Sequence, residues 1–214
     1  MDAEAIIPAF NEAPTVAAVA RTLVAARVFR RVVVWSDGSH DTTCAMASVP
    51  GVEVVCASRN LGKGGAMRAA LETTRAPWVA FFDGDLYDLV PAHVHQLLAG
   101  IGPGVGQVCG LRDYGPLYNR VQRAMPLITG ERVVRRDVLH TVPRAFWQGF
   151  RIEAGINEAV ARAGLRSATV VFPGVSVRTK WDKQGAQGYA DMARMLCDVA
   201  QAIDDARHAT FTPW

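Results

Sequence analysis

The sequence predicts an α/β protein built on a mostly parallel central sheet with helices on both faces. In the first half, short β-branched runs alternate with longer helical patterns, which is typical of strands joined by crossover helices. Each predicted strand also ends in a polar, glycine-containing or acidic cluster. The 214 residues, half of them hydrophobic and a fifth charged, are enough to bury the core of a single domain over 1–214.

Residues 1–90 contain the clearest alternation of elements. We expect strands at Ala5–Ile7, Arg31–Trp35, Val52–Cys56 and Trp78–Phe82. We expect helices at Thr15–Ala26, Thr42–Ala47 and Gly64–Thr74. This order is that of a doubly wound sheet, in which ligands bind at the carboxyl ends of the strands. A site is therefore expected where the clusters follow the strands.

Residues 91–214 are less regular. The expected elements are a helix at Pro91–Leu98, a strand at Gln107–Leu111, helices at Arg135–Val142 and Ile156–Gly164, a strand at Ser167–Phe172 and a helix at Tyr189–Ala206. One face of the last helix carries, by their spacing, Met192, Met195, Leu196, Val199 and Ile203. Such a face favours docking onto the sheet or onto a second copy of the chain in a homodimer.

Composition and charge exclude several classes of partner. The formal charge of +3 is spread along the chain without a block of like charges, so nucleic acid is not an expected partner. No stretch approaches the roughly 18 apolar residues of a spanning helix, and the residues before Ile6 lack the features of a secretory signal. The four cysteines show neither zinc-site spacing nor a dense disulfide framework. We therefore expect no transmembrane segment, reduced thiols and a cytoplasmic protein.

The strongest chemical signal is the segment Phe81-Phe82-Asp83-Gly84-Asp85-Leu86. Hard divalent cations take oxygen ligands, and Mg²⁺ is commonly held by one or two carboxylates plus substrate phosphates. Asp83 and Asp85 are therefore candidate metal ligands, and Gly84 would leave room for a nucleotide between them. The plainer interpretation is a turn, because Asp and Gly are ordinary turn residues.

Two further clusters follow the second and third predicted strands. In Ser36-Asp37-Gly38-Ser39-His40-Asp41, Asp37 is the candidate to hydrogen-bond a base or ribose, and Asp41 is expected to cap the next helix. In Asn60-Leu61-Gly62-Lys63-Gly64-Gly65, the amides at a helix start and the Lys63 ammonium would attract phosphate. The spacing is not that of a P-loop, which disfavours a P-loop ATPase.

The fourth cluster, Pro8-Ala9-Phe10-Asn11-Glu12, follows the first predicted strand. Asn11 is expected to cap the following helix, and Glu12 is placed where it could reach a nucleotide. A nucleotidyltransferase would be expected to carry a glycine-rich, basic loop at this point, so that alternative is disfavoured. A catalytically silent nucleotide-binding protein stays open, although the intact Asp83 and Asp85 argue against it.

Together, these four clusters resemble the family-two glycosyltransferases of the GT-A fold. The matching segments are Ile6-Ile7-Pro8-Ala9-Phe10-Asn11-Glu12, Ser36-Asp37-Gly38-Ser39-His40-Asp41, Asn60-Leu61-Gly62-Lys63-Gly64-Gly65-Ala66 and Asp83-Gly84-Asp85. All four occur in the family's order, which makes the resemblance specific. It implies that residues 1–90 bind the nucleotide sugar and metal and that residues 91–214 bind the acceptor.

The resemblance also implies roles for single residues. Pro8, Phe10 and Glu12 would line the nucleotide pocket. Asp37 would contact the base, and Lys63 would lie near the diphosphate. Asp83 and Asp85 would hold Mg²⁺ or Mn²⁺, and Asp85 would take part in catalysis through that ion.

The second half is similar to dolichyl-phosphate hexose synthases and glucosyl-3-phosphoglycerate synthases. The similar segments are Gly130-Glu131-Arg132-Val133-Val134-Arg135-Arg136-Asp137-Val138-Leu139 and Gly149-Phe150-Arg151-Ile152-Glu153. The second of these implies that Glu153 is a catalytic carboxylate beside the acceptor. Two alternatives stay open: Glu131 and Arg132 could form a solvated helix start, and Glu153 could simply pair with Arg151 or a surface lysine.

The chain departs from the family pattern after the last predicted strand. Several relatives place a metal-binding histidine there, whereas this chain has Val177-Arg178-Thr179-Lys180-Trp181. Metal ligation could rest on the two aspartates and water, or Lys180 could instead neutralise the diphosphate. Arg132 is also expected to bind substrate, because it would suit an acceptor phosphate together with Arg135, Arg136, Lys180 and Lys183.

The expected function is transfer of a hexose from a UDP- or GDP-sugar to an acceptor, dependent on Mg²⁺ or Mn²⁺. A diphosphate becomes a good leaving group when a cation and a lysine absorb its developing charge. Glu153 would deprotonate the acceptor if the reaction inverts the sugar, and would only orient the acceptor if the reaction retains its configuration. The acceptor is not named by the sequence, and a phosphorylated small molecule or a polyprenyl phosphate would fit.

Overall fold

In a computed structural model of the chain, the backbone is described for residues 2–113, 115, 119, 128–149, 151–177 and 187–214. Side chains are described for the same residues except 177, 187–196 and 199. Within these ranges, no helix is long and apolar enough to cross a membrane.

Nine strands and seven α-helices are found in the described ranges. The strands are β1 (Ala3–Ala9), β2 (Arg31–Ser36), β3 (Glu53–Cys56), β4 (Trp78–Phe81), β5 (Leu86–Tyr87), β6 (Val105–Arg112), β7 (Arg132–Arg135), β8 (Arg166–Phe172) and β9 (Ser176–Val177). The helices are α1 (Val16–Ala25), α2 (Thr43–Ala47), α3 (Gly62–Leu71), α4 (Pro91–Ala99), α5 (Arg136–Leu139), α6 (Arg151–Arg162) and α7 (Gln187–His208), with a 3₁₀ turn at Arg144–Phe146.

A seven-stranded sheet with the order β3-β2-β1-β4-β7-β6-β8 forms the centre of the molecule. The pairs β1–β2, β1–β4, β2–β3 and β6–β8 are parallel, whereas β7 runs antiparallel to both of its neighbours. A separate two-stranded antiparallel sheet joins β5 to β9. The predicted α/β fold with a mostly parallel sheet is therefore confirmed.

Helices cover both faces of the sheet because its central strands are apolar on both sides. All seven residues of β1 are buried. Ala5 and Ile7 belong to one apolar cluster, which they share with α1 and α4, and Ile6 belongs to the other, which it shares with α3, α5 and α6. Neighbouring residues of a strand point to opposite faces, and a strand buried on both faces is typical of a parallel sheet.

The last helix packs on the rest of the domain. Helix α7 lies against α6, and Ala202 and Ala206 are buried in that contact. Of the apolar face predicted for this helix, Met192, Met195, Leu196 and Val199 have side chains outside the described set. Helix α7 therefore docks on the domain through small residues further along the helix. The homodimer stays a prediction.

One strand was not predicted, and one expectation from the sequence is wrong. The helix predicted at Arg135–Val142 is found as α5 at Arg136–Leu139, but strand β7, directly before it, was not expected. Reduced thiols were expected, but Cys44 in α2 and Cys56 in β3 are paired as a disulfide, with Cα atoms 6.1 Å apart, a separation that a disulfide spans. The short connection from α2 to β3 brings the two cysteines together. Cys109 and Cys197 are free.

Candidate active site

A cavity of about 430 Å³ lies at the carboxyl ends of β1, β2 and β4, hereafter the carboxyl edge of the sheet. The side chains around it include nearly all those predicted to bind nucleotide and metal, namely Pro8, Phe10, Glu12, Asp37, Lys63, Asp83 and Asp85. The fold therefore brings these predicted residues to one cavity, and their roles stay predictions.

Strand register brings these residues together. Ala9 lies opposite Ser36, so β1 and β2 end at the same level, and β4 ends at Phe81, opposite Ile6 of β1. Backbone hydrogen bonds extend the pairing past the strand ends: the Asp37 amide donates to the Ala9 carbonyl at 2.8 Å. Because the strands are parallel, the segments that follow them leave the sheet on the same side and meet there.

Asp37 fixes the loop that leads to Lys63. Its side chain is buried, and its two carboxylate oxygens accept the backbone N–H of Leu61 at 2.9 and 3.0 Å. Burial raises the pKa of Asp37, and the amides of Leu61 and Gly62 oppose that rise. Gly38 has φ +67°, and a Cβ there would come within 2.6 Å of the Arg59 carbonyl carbon. This close approach explains the glycine after Asp37.

A second set of hydrogen bonds joins the segment after β1 to the start of α2. The Thr43 hydroxyl accepts the Glu12 N–H at 2.8 Å, and the Asp41 carboxylate accepts the N–H of Thr43 at 2.9 Å. Asp41 therefore satisfies an amide at the start of this helix, as expected. Asn11 was expected to cap α1, but its side-chain carbonyl accepts the His40 N–H at 2.9 Å, and Thr15 takes the cap position.

The Lys63 ammonium bridges two carboxylates. Its Nζ lies 2.9 Å from Oδ1 of Asp83 and 3.0 Å from Oε1 of Glu153. Burial on its own lowers the pKa of Lys63, but the charges and hydrogen bonds of Asp83 and Glu153 outweigh it and raise that pKa. Lys63 is therefore a fixed positive charge at any physiological pH.

Glu153 lies in the first turn of α6, and its side chain is 4% exposed. Oε1 accepts from Lys63, whereas Oε2 is buried with no hydrogen-bond partner among the described residues. Pairing with Arg151 was the plainer interpretation, but Arg151 pairs with Asp205 at 2.6 Å. Glu153 is thus turned toward the site rather than toward the surface.

Glu131 is a member of the site's surroundings that sequence reasoning missed. It was interpreted as part of a solvated helix start, yet it is 1% exposed, and the Thr129 hydroxyl donates to its Oε2 at 2.6 Å. Burial and the nearby Asp83 charge raise its pKa, and Arg112, 3.9 Å away, opposes that rise. The local signal was a Gly-Glu pair separated by one arginine from the β-branched residues Val133 and Val134.

Arg132 does not line the cavity. Its guanidinium is buried, and it donates from Nε and one terminal nitrogen to the Thr129 carbonyl and from the other to Oε1 of Gln107 at 3.2 Å. Arg135 and Arg136 lie at the other end of β7, away from the site, because β7 is antiparallel. Lys180 and Lys183 lie outside the described residues.

The acidic pair fits a divalent ion that is completed by a phosphate. Both carboxylates border the cavity, and a positive charge, the Lys63 ammonium, already lies against Asp83. Gly84 is held by the Thr15 hydroxyl, which donates to its carbonyl at 2.7 Å. No group of three or more His, Cys, Asp or Glu side chains suited to a metal occurs among the described residues. Two protein carboxylates plus substrate phosphates is a usual coordination of Mg²⁺.

Comparison with curated proteins finds a relative that matches part of the chain. The succinoglycan biosynthesis protein ExoO of Rhizobium meliloti (strain 1021) is 34% identical over 88 residues, which are 39% of this chain and 25% of that protein. The match thus spans a quarter of the length of this curated relative.

Solved structures share the fold. Glucosyl-3-phosphoglycerate synthase from Mycobacterium tuberculosis, crystallised with Mn²⁺, UDP-glucose and phosphoglyceric acid, superimposes with a TM-score of 0.76 at 22% identity, covering 96% of this chain and 79% of that one. A mycobacterial protein superimposes with a TM-score of 0.70 at 24% identity, covering 83% and 67%. At this identity the likeness establishes the GT-A fold. The family model of Glycosyl transferase family 2 matches residues 4–153, well over half of the sequence, so the chain belongs to glycosyl transferase family 2.

Proposed function

We propose that this chain transfers a hexose from a UDP-sugar to an acceptor hydroxyl with the help of Mg²⁺ or Mn²⁺. The observation that carries the proposal is the convergence of Asp83, Asp85 and Lys63 on one cavity at the carboxyl edge. Membership of the family supports the reaction class. A GDP-sugar is the alternative donor.

We assign the nucleoside end of the donor to the part of the cavity that is formed where β1 and β2 end and by the segments that follow them. Phe10 is 42% exposed at its rim and would offer a flat apolar surface to the base. Asp37 would bind the base or ribose through oxygen lone pairs that the Leu61 amide leaves available. Pro8 and Glu12 complete this part of the wall.

The diphosphate is assigned to the acidic pair and Lys63. Asp83 and Asp85 would hold the ion, which when bound would neutralise charge on the diphosphate oxygens. Lys63 would leave Asp83 and donate to a diphosphate oxygen, because the divalent ion would replace its charge on that carboxylate. A fixed cation aimed at the place where negative charge develops stabilises the transition state.

Glu153 is assigned to the acceptor. In the transfer, the bond from the anomeric carbon to the diphosphate oxygen breaks and a bond from that carbon to the acceptor oxygen forms. The hydroxyl proton leaves to Glu153 or to the departing diphosphate. In either case Oε2 of Glu153, which has no hydrogen-bond partner in the described part of the chain, would accept a hydrogen bond from the hydroxyl.

The acceptor class and the location of the protein are also proposals. Glucosyl-3-phosphoglycerate synthase, which shares the fold, was crystallised with phosphoglyceric acid, so a phosphorylated small molecule is the first acceptor to test. A polyprenyl phosphate is the alternative. Lys180, which lies outside the described residues, is proposed to neutralise the diphosphate. Arg132 is not assigned to substrate, because its buried guanidinium donates to Thr129 and Gln107. A cytoplasmic location is also proposed, because the donor assigned to the site is a nucleotide sugar.

Thermal denaturation with UDP and with GDP, each with and without Mn²⁺, tests donor and metal together. A ligand that binds only the folded state raises its melting temperature. We expect stabilisation by UDP with Mn²⁺ and its loss in Asp85→Ala, whereas Asp198→Ala, which removes an exposed carboxylate of α7, should behave as wild type.

Turnover is then measured as UDP release from UDP-glucose in the presence of 3-phosphoglycerate or of a polyprenyl phosphate. Release that needs one of the two acceptors identifies its class. Tight UDP binding without release under either condition would point to a silent nucleotide-binding protein, and metal-independent binding unaffected by Asp85→Ala would refute the site itself.

A further inference from the structure

A second, larger cavity lies at the opposite end of the sheet from the active site. Its volume is about 850 Å³, and its walls include Trp78 at the start of β4 and Arg135 at the end of β7. These two residues are paired in the sheet, three positions from the pair Phe81 and Arg132 at the carboxyl edge. The strands therefore separate this cavity, hereafter the basic groove, from the acidic pair.

The basic groove carries an excess of positive charge. Arg75, Arg135 and Arg136 line it with a single carboxylate, that of Asp137. Asp137 is already engaged, because Nε of Arg135 donates to its Oδ1 at 3.0 Å and a second Arg135 nitrogen donates to Oδ2. Among the described residues of the groove wall, two guanidinium groups, those of Arg75 and Arg136, are thus left without a neutralising charge.

Arg136 and His140 present polar atoms that lack partners. Nε of Arg136 and both ring nitrogens of His140 are buried and make no hydrogen bond within the described ranges. Burial and the neighbouring Arg136 charge lower the pKa of His140, so its ring is neutral and has one N–H to donate. Buried polar groups in proteins are normally satisfied, and an orphaned one calls for a partner such as a ligand.

The carboxylates near His140 do not supply that partner. Besides Asp137, the acidic side chain that acts on His140 is Glu72, which pairs with Arg68 at 3.2 Å. The ring itself is held in place by Trp214, whose ring centroid lies 4.7 Å away in an edge-on arrangement. His140 is therefore fixed in orientation, while its ring nitrogens make no hydrogen bond to the described residues.

Backbone hydrogen bonds fix the segments that form the rim. The Arg136 amide donates to the Pro77 carbonyl at 2.8 Å, the Arg166 amide donates to the Gly104 carbonyl at 2.8 Å, and the Trp214 amide donates to the His140 carbonyl at 3.1 Å. Segments distant in sequence are thus joined around one concavity. A preformed, concave site with a few convergent polar groups is typical of small-molecule binding.

We propose that the basic groove binds a small molecule that carries a phosphomonoester. A guanidinium presents its donors in a planar fork that matches phosphate oxygens, and the two unneutralised arginines balance the charge of a dianion. The indole of Trp78 and the prolines at 77, 103 and 213 form the apolar walls against which the rest of the molecule packs. This site is separate from the donor cavity and does not depend on the proposed reaction.

Titration of ¹⁵N-labelled protein with glycerol 3-phosphate, followed by amide chemical shifts, tests the proposal residue by residue. We expect saturable shifts at Gly102, Gly104 and His140. Affinity should fall about tenfold or more in Arg75→Gln/Arg136→Gln, because each substitution removes a charge-assisted contact. Arg21→Gln removes the same charge from the exposed surface of α1 and should bind as wild type.

The outcomes separate the proposal from its rivals. Shifts that never saturate, shifts confined to Gly62 and Lys63 in the active site, or unchanged affinity in the double variant would overturn it. If the double variant fails to fold, Arg75→Gln alone carries the test, because Arg75 is exposed at the rim. Cosedimentation with vesicles of phosphatidic acid distinguishes a lipid phosphomonoester from a soluble one. Binding to the vesicles without binding to glycerol 3-phosphate would refute the small-molecule proposal.

Discussion

Lys63 and Asp83 form an ion pair of 2.9 Å inside the candidate active site. The carboxylate that is proposed to hold a divalent ion is therefore already neutralised by a side chain of the same chain. An ammonium and a metal cannot share that oxygen without mutual repulsion. Metal binding and the release of Lys63 toward the diphosphate are thus expected to be coupled.

Replacing Lys63 tests this coupling. In Lys63→Met the competing charge is gone, so we expect Mn²⁺ to bind the nucleotide-free protein more tightly, as measured by electron paramagnetic resonance. Turnover of UDP-glucose should nevertheless fall about 100-fold or more, because the leaving diphosphate loses a fixed cation. Lys63→Arg keeps the charge and should leave Mn²⁺ affinity near that of wild type. Weaker Mn²⁺ binding in Lys63→Met would contradict the competition.

Substitution of Glu153 is expected to affect the chemical step without affecting donor binding. Glu153→Gln keeps the size of the side chain but removes the charge, and we expect the turnover number to fall about 100-fold or more. Affinity for UDP with Mn²⁺ should change by no more than about twofold, since Asp83 and Asp85 are untouched. Glu158→Gln, which removes a half-buried carboxylate that pairs with Arg162 on the same helix, is the control. A variant that loses UDP affinity and turnover together would show that Glu153 serves only to hold Lys63.

The site was readable from the sequence because its residues follow parallel strands. Pro8 lies at the end of β1, Asp37 directly follows β2, and Asp83 is the second residue after β4. Such strand ends meet whatever the details of packing. Lys63 was placed correctly in the cavity, but its pairing with Asp83 and Glu153 was not foreseen. That pairing joins residues 90 positions apart and depends on how α6 packs beside α3.

Strand β7 shows where local signals fail. Val133 and Val134 favour a strand, but only two β-branched residues stand between the arginines and before the predicted helix, so no strand was predicted there. The strand inserts antiparallel between β4 and β6, a pairing that chain order does not reveal. The insertion buries Arg132 and carries Arg135 to the far edge, and for that reason the predicted cluster of acceptor-binding arginines does not form.

Glu131 should make stability depend on pH. Its pKa is raised by burial and by the Asp83 charge, so between the ordinary pKa of a glutamate and the raised value the folded state binds more protons than the unfolded state. Stability therefore falls as pH rises through that window. Glu131→Gln removes the titration, so the free energy of unfolding of the variant minus that of wild type should grow between pH 5 and pH 8. Urea denaturation at both pH values measures it, and an equal difference at both would contradict the prediction.

Substitution of Gly130 tests whether close packing against this residue holds the Asp83 carboxylate of the acidic pair in place. A Cβ at Gly130 would overlap the Asp83 carboxylate, whereas a Cβ at Gly102 would meet nothing within 4 Å. Gly130→Ala must push Asp83 aside, so we expect Mn²⁺-dependent UDP binding to weaken and the free energy of unfolding to drop by about 1–3 kcal/mol. Gly102→Ala is the matched control and should alter neither quantity. Unchanged UDP binding in Gly130→Ala would mean that Asp83 is free to move and that its position in the site is not set by this contact.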